Sequence, residues 1–233
     1  MSFVHSWTSL NKFETCPRQF EWSYVQKNKE DPAKFAEYRK WGVIVHEAVE
    51  LRIKKGSDEP MPEGTERFQV AIDAAKMAKQ QGLSVYTEEK IAMSRDGKAV
   101  NFWSKDAFVR AQVDLAILAR TRAEMIDLKT GKWKSDRDQM RMNAWIAFHQ
   151  WPGLTLIQTR YLWLQGGDQN AETHARAATS DAKSTLATLA GDFIPRIERV
   201  ERALAGGVFD PKPSGLCRAH CPVFSCEHNG RSE

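Results

Sequence analysis

Ala111-Gln112-Val113-Asp114-Leu115-Ala116-Ile117-Leu118, then Arg120-Thr121, then Ala123-Glu124-Met125-Ile126-Asp127-Leu128-Lys129-Thr130-Gly131, is the stretch whose reading decides the fold. Two strand-like segments around a short polar pair read as an antiparallel hairpin. If the turn is centred between Arg120 and Thr121, facing residue numbers sum to 241 and Asp114 lies directly opposite Asp127. Facing side chains have Cβ atoms about 4.5–5.5 Å apart, and like charges at that separation repel, so the pair calls for a cation between them. Mg²⁺ or Mn²⁺ suits carboxylate oxygens. Strand alternation sets Lys129 on the face of Asp127 and turns Leu128 to the other side. The lysine can then stabilise charge next to the metal. Arg-Thr lacks the Asn-Gly turn signal, and a loop of odd length would break this register. The other reading of a bare Asp-x-Lys is a solvated hairpin surface.

Outward from the hairpin, helices are expected over Ser6–Lys27, Phe35–Lys55 and Glu63–Gln81. Ser6 or Thr8 would cap the first, Pro17 is a possible break in it, and Gly82 would stop the third. Strands are expected over Ser84–Met93, Ala99–Trp103, Arg110–Ala119 and Arg122–Leu128. A helix over Ser135–Trp151, a strand over Thr155–Gln165 and a long helix over Ser180–Ala205, kinked or divided at Pro195, follow. The order suggests one α/β domain with a central mixed sheet and helices on both sides. Residues 211–233, opening on Pro211-Lys212-Pro213, form a Cys-rich tail expected to pack back on the first helix.

At 233 residues, 42% hydrophobic and 27% charged, the composition is that of a globular chain rather than a disordered or fibrous one. No apolar run reaches the length of a membrane span or a secretory signal, so a cytoplasmic protein without a membrane partner is expected. A net charge of +4 is compatible with a polyanionic partner but too small to argue for one. Four cysteines in an intracellular chain read as metal ligands or buried thiols rather than disulfides.

Ser6-Trp-Thr-Ser-Leu-Asn-Lys-Phe-Glu-Thr-Cys-Pro-Arg-Gln-Phe20, Gly42-Val-Ile-Val-His-Glu-Ala-Val-Glu50, Asp114, Ile126-Asp-Leu-Lys-Thr-Gly131 and Gln139 follow one another along the chain. Together these five segments resemble the RecB-type nucleases of the PD-(D/E)xK superfamily, a group that includes CRISPR adaptation and phage exonucleases. The resemblance implies a restriction-endonuclease-like core. It makes His46, Asp114, Asp127 and the Leu128 carbonyl ligands of Mg²⁺ or Mn²⁺, Lys129 the catalytic lysine and Gln139 a residue near the substrate. Gly42, His46 and Glu50 share one helix stripe, so Glu50 could support the histidine. The family's Gln-x-x-x-Tyr has Asn143 at its second position here. Lys132, Trp133, Lys134, Arg137 and Arg141 would line the DNA path, with Arg18 a further candidate; a solvated charged face is the alternative.

Several relatives tie the C-terminus to the first helix through a [4Fe-4S] cluster, and Cys16, Cys217, Cys221 and Cys226 resemble that set. The late spacing departs from the usual Cys-x-x-Cys, with His220 in the expected second position. Zinc bound among Cys217, His220, Cys221, Cys226 and His228 stays open, as do free buried thiols. The implied activity is metal-dependent hydrolysis of DNA, single-stranded or at duplex ends, exonucleolytic rather than endonucleolytic. Its setting would be recombination, repair or phage DNA processing, with a homo-oligomer or a recombination partner supplying processivity. A silent DNA-binding or assembly factor and a restriction-type endonuclease are the alternatives.

Overall fold

The Ala119 N–H donates to the Arg122 carbonyl at 2.8 Å, closing a two-residue turn over Arg120-Thr121. The even loop keeps the expected register: Leu115 faces Ile126, Ala116 faces Met125, Ile117 faces Glu124 and Leu118 faces Ala123. These facts come from a computed structural model that describes residues 3–29, 36–57, 59–132, 137–165 and 171–230, with backbone alone at 36–39.

The hairpin strands are β2 (Val109–Leu118) and β3 (Arg122–Lys132). β1 (Ser84–Met93) pairs antiparallel with β2, and β4 (Leu156–Gln165) runs parallel to β3. A parallel neighbour needs a crossover, here the helix α5 (Asp138–Gln150). β5 (Glu172–Ala175) and β6 (Ser184–Thr185) complete a six-stranded mixed sheet in the order β1-β2-β3-β4-β5-β6. This is the α/β architecture expected.

Helices α3 (Ala36–Lys55) and α4 (Gln69–Gln80) cover one face. Val45, Val49 and Ile53 of α3 and Ile72 and Ala75 of α4 pack on Leu115, Ile117, Ile126 and Leu128. Each buried aliphatic side chain of this size contributes roughly 1.5–3 kcal/mol. Asp127 alternates with Ile126 and Leu128, so its side chain points to the opposite face, where Gln139 of α5 meets it. α5 packs on β1, β2 and β4 and is buried nearly all round, Met142, Ala144, Ile146 and Phe148 being fully enclosed.

Several elements differ from the sequence expectation. Ala99–Trp103 is not a strand: Ala99 makes an isolated bridge to Met93, and turns follow. Gly97 at φ +78° and the Asn101 side chain, which accepts from the Trp103 N–H at 2.9 Å, divert the backbone there. α4 begins at Gln69, after Gly64 at φ +80° and one 3-10 turn over Glu66–Phe68, and stops before Gly82 at φ +76°. α6 (Leu186–Gly206) begins six residues later than Ser180. Thr185 and Thr188 cap it reciprocally: Thr188 N–H donates to Thr185 Oγ1 at 3.1 Å, and Thr185 N–H to Thr188 Oγ1 at 2.6 Å. Pro195 lies inside α6 without dividing it.

Contacts divide the chain into two units, residues 1–4 with 36–191 and residues 5–35 with 192–233. The first holds the whole sheet. In the second, Ser6 caps α1 (Trp7–Thr15) through a reciprocal box with Ser9. The expected Ser6–Lys27 helix breaks at Cys16, which is extended (φ −163°, ψ 114°), because a residue before proline is driven out of the helical region. Pro17 then starts α2 (Pro17–Phe20), which runs into a π-helical turn over Glu21–Val25. Within this unit the tail meets the N-terminal helices, Lys212 Nζ donating to the Glu14 carbonyl at 2.7 Å, and just before the tail the Phe209 ring stacks on Phe20 with centroids 6.2 Å apart. Among the described residues, no helix is long and apolar enough to cross a membrane.

Candidate metal centre

Gly42 marks the close approach of α3 to β3, since a Cβ there would stand 3.5 Å from Thr130 Oγ1. One turn on, His46 reaches the sheet. Its Nε2 lies 3.0 Å from the Leu128 carbonyl oxygen, and its Nδ1 lies 3.1 Å from Glu88 Oε1 and 3.7 Å from Asp114 Oδ1. The Leu128 N–H donates to Asp114 Oδ2 at 2.7 Å, so Leu128 serves Asp114 through its N–H and His46 through its carbonyl. Both ring nitrogens face acceptors, and only the imidazolium can donate to both.

The charges fit that picture. Burial disfavours the His46 cation, yet the Glu88 hydrogen bond and the Asp114 charge outweigh it and push the imidazole up to about 9. Burial, with Asp127 and Glu88 adding repulsion, pushes Asp114 up to about 7. Glu88 is held below its ordinary value: burial opposes ionisation, but hydrogen bonds from His46 and Gln112 prevail. Acidic groups crowded this closely favour a cation among them. Ligand atoms of His46, Glu88 and Asp114 all lie within 4.8 Å of one another, the only such group among the described residues. An imidazole nitrogen with carboxylate and carbonyl oxygens fits Mg²⁺ or Mn²⁺.

Glu88 has no signal in the sequence, and its backbone is unusual. Thr87 faces Leu115 and Glu89 faces Val113, which puts Glu88 across from Asp114. Its φ is +51°, a left-handed conformation inside a strand. That conformation costs a side-chain-bearing residue roughly 1–2 kcal/mol, and such strain gathers at functional sites. Glu50, the expected support for His46, instead pairs with Lys54 at 2.6 Å.

Next to this group lies a closed triangle. Lys129 Nζ is 2.6 Å from Asp127 Oδ2, Gln139 Nε2 donates to Asp127 Oδ1 at 2.8 Å, and Lys129 Nζ donates to Gln139 Oε1 at 3.0 Å. Asp127 is only 3% exposed. The ammonium also stands over the Tyr161 ring, 5.4 Å from its centroid. Asp127 is thus engaged with Lys129 and Gln139 rather than with His46.

The remaining candidates are scattered. Lys132 is exposed at the end of β3, and Trp133 and Lys134 lie outside the described residues. Arg137 pairs with Glu172 at 2.7 Å, Arg141 with Asp138 at 3.0 Å and Arg18 with Glu21 at 3.2 Å. Asn143 is buried. Cys16, Cys217, Cys221 and Cys226 carry no disulfide and line one cavity together with His228; His220 does not line it. Burial raises the Cys221 thiol, and the other three cysteines add to the effect. The Lys212 N–H donates to Cys16 Sγ at 3.4 Å and the Ser214 N–H to Cys217 Sγ at 3.3 Å. Tetrahedral zinc with bonds of about 2.3 Å needs its sulfurs about 3.8 Å apart. No three of these ligand atoms lie that close to one another.

Two hairpin carboxylates whose charges act on one another, a histidine delivered by a preceding helix and a lysine two residues beyond one acid define a nuclease-type core. A family model described as the PD-(D/E)XK nuclease superfamily matches residues 5–226, and the chain belongs to that superfamily. It is a family of metal-dependent nucleases. No curated protein matches the chain. Solved structures similar to it include one described as "Crystal structure of SSO0001", 13% identical with a TM-score of 0.47, covering 98% of this chain and 88% of that one.

Proposed function

We propose that this chain is a RecB-type deoxyribonuclease that uses Mg²⁺ or Mn²⁺ to degrade DNA from its ends, in recombination, repair or phage DNA processing. The observation that carries the reading is His46 set among Glu88, Asp114 and the Leu128 carbonyl, beside the Asp127–Lys129–Gln139 triangle. The cation, held by His46, Glu88, Asp114, Asp127 and the Leu128 carbonyl, would supply a Lewis acid for the phosphoryl oxygens and acidify water. The chain's own residues do the rest. Asp127, buried on its strand, fixes the Lys129 ammonium where negative charge builds on the scissile phosphate. Gln139 holds both partners, which keeps the lysine from swinging into solvent. Leu128, held through both its N–H and its carbonyl, ties α3 to β2 and sets the distance between His46 and Asp114.

The test is digestion of end-labelled linear and closed circular DNA with Mn²⁺. Wild-type protein should shorten the linear substrate and spare the circle, and Lys129→Ala should lower the rate about 100-fold or more. Discrete fragments from the circle would indicate a restriction-type endonuclease. Binding with no cleavage would indicate a silent assembly factor.

A second reading concerns the cysteines. Four thiols lining one cavity are the right number and type of ligand for a [4Fe-4S] centre, with zinc the alternative. Anaerobically purified protein should be brown with broad absorbance near ~400 nm. Colourless protein carrying stoichiometric zinc would overturn this.

A further inference from the structure

Beyond Glu88 and Asp114, the same two strands carry a second cluster of side chains. In the β1–β2 register Lys90 faces Gln112 and Ala92 faces Arg110. Residues two apart share a face, so Arg110, Gln112 and Asp114 follow one another along β2, with Lys90 beside Gln112. Gln112 Nε2 donates to the Glu88 carboxylate, joining this row to the metal centre. At about 3.4 Å per residue, Arg110 stands ~14 Å along the strand from Asp114. A stacked DNA strand covers that distance in about four nucleotides.

Two aromatic rings from the β1–β2 connection meet the row. Phe102 and Trp103 pack edge to face, centroids 4.8 Å apart at 83°, and Trp103 is 70% exposed. Lys90 Nζ lies 5.8 Å from the Phe102 centroid and 5.6 Å from that of Trp103. The Arg110 guanidinium lies 4.9 Å and 5.2 Å from the same two rings. Among the described residues neither cation has a carboxylate partner. Arg18, Arg137 and Arg141 are each paired with an acid. Uncompensated cations around an exposed indole, in line with the carboxylates, match the chemistry that binds single-stranded nucleic acid: a flat ring for a base and fixed charges for phosphates.

We propose that Lys90, Phe102, Trp103 and Arg110 form a subsite for single-stranded DNA, Trp103 stacking on an unpaired base while Lys90 and Arg110 take the flanking phosphates. The strand is thereby led along β1 and β2 to Glu88 and Asp114. The proposal rests on reading those carboxylates as the cleavage centre. It also sets a preference: a paired base cannot lie on the indole, so blunt duplex must fray before its end is held.

The test is fluorescence anisotropy of fluorescein-labelled oligo(dT), with Ca²⁺ replacing Mn²⁺, for wild type, Trp103→Ala, Trp103→Phe and the Lys90→Glu/Arg110→Glu pair. Trp103→Ala should weaken binding about tenfold, and Trp103→Phe, which keeps a ring, by much less. Because the charge reversal takes two cations away from the phosphates, it should reduce the slope of log affinity against log salt by about 1.4. In Mn²⁺, hydrolysis of bis(p-nitrophenyl) phosphate by Trp103→Ala should equal wild type while KM for the oligonucleotide rises. Wild-type-like oligo(dT) binding by Trp103→Ala and by the charge reversal would overturn the proposal. So would equal losses for the Phe and Ala variants together with lowered melting temperatures, which mark a structural role. Normal oligo(dT) binding, lost in Trp103→Ala, by a protein that hydrolyses neither substrate supports the subsite and sinks the nuclease reading instead.

Discussion

Asp114, Asp127 and Lys129 were legible because two local rules, an even hairpin loop and strand alternation, act within twenty residues of sequence. Glu88 was not, because its register against Asp114 is set across the long connection 94–108, for which no turn rule exists. Its left-handed backbone is equally silent, since Glu has no preference for that region. The left-handed backbone at Glu88 carries a cost to stability. Asn tolerates a positive φ better than Glu but is too short to reach the metal centre. Glu88→Asn should therefore melt no lower than wild type in EDTA by differential scanning fluorimetry. Its stabilisation by saturating Mn²⁺ should fall by about 1.4 kcal/mol for each tenfold loss of affinity. A variant stabilised by Mn²⁺ as strongly as wild type would remove Glu88 from the ligand set.

The elements that position the site are the hairpin and α3, and each was read from a pattern that survives folding. Those misread were overruled by turn chemistry: Gly97 and Asn101 convert an alternating Ala99–Trp103 into turns, and the Thr185–Thr188 box moves the start of α6. The hairpin turn makes a sharper claim. Arg120-Thr121 has no intrinsic preference for the tight two-residue loop it forms, and the register follows from loop length. Replacing the pair by Asn-Gly should preserve nuclease activity and raise stability by roughly 0.5 kcal/mol in a urea melt. One glycine inserted between them shifts the register by a residue and turns Asp114 toward the Leu115 face. Nuclease activity should then drop by about 100-fold or more. Activity retained with the insertion would mean the two acids do not act as a facing pair.

At the scale of the molecule, the grouping of residues 5–35 with residues 192–233 reaches beyond the tail at 211–233 that the sequence set against the first helix, because contacts so far apart in the chain have no local signature. The pH response of the first unit is readable only from its packing. His174 of β5 is fully buried, its Nδ1 2.6 Å from Ser184 Oγ and its Nε2 3.0 Å from Thr159 Oγ1, so that it links β4, β5 and β6. Burial pushes it down from 6.5 to about 4, Arg141 and Lys183 adding to the effect and Glu172 opposing it. The folded protein therefore holds the imidazole neutral where the unfolded chain would bind a proton. Its stabilising effect is complete above pH ~6.5 and is lost as pH falls toward ~4, a total of about 3 kcal/mol for a shift of this size. Urea denaturation of wild type and His174→Gln between these limits measures it. The stability difference between the two proteins should shrink as the pH is lowered, wild type losing more. Parallel pH profiles would show that His174 keeps an ordinary affinity for the proton and that the acid sensitivity of the sheet lies elsewhere.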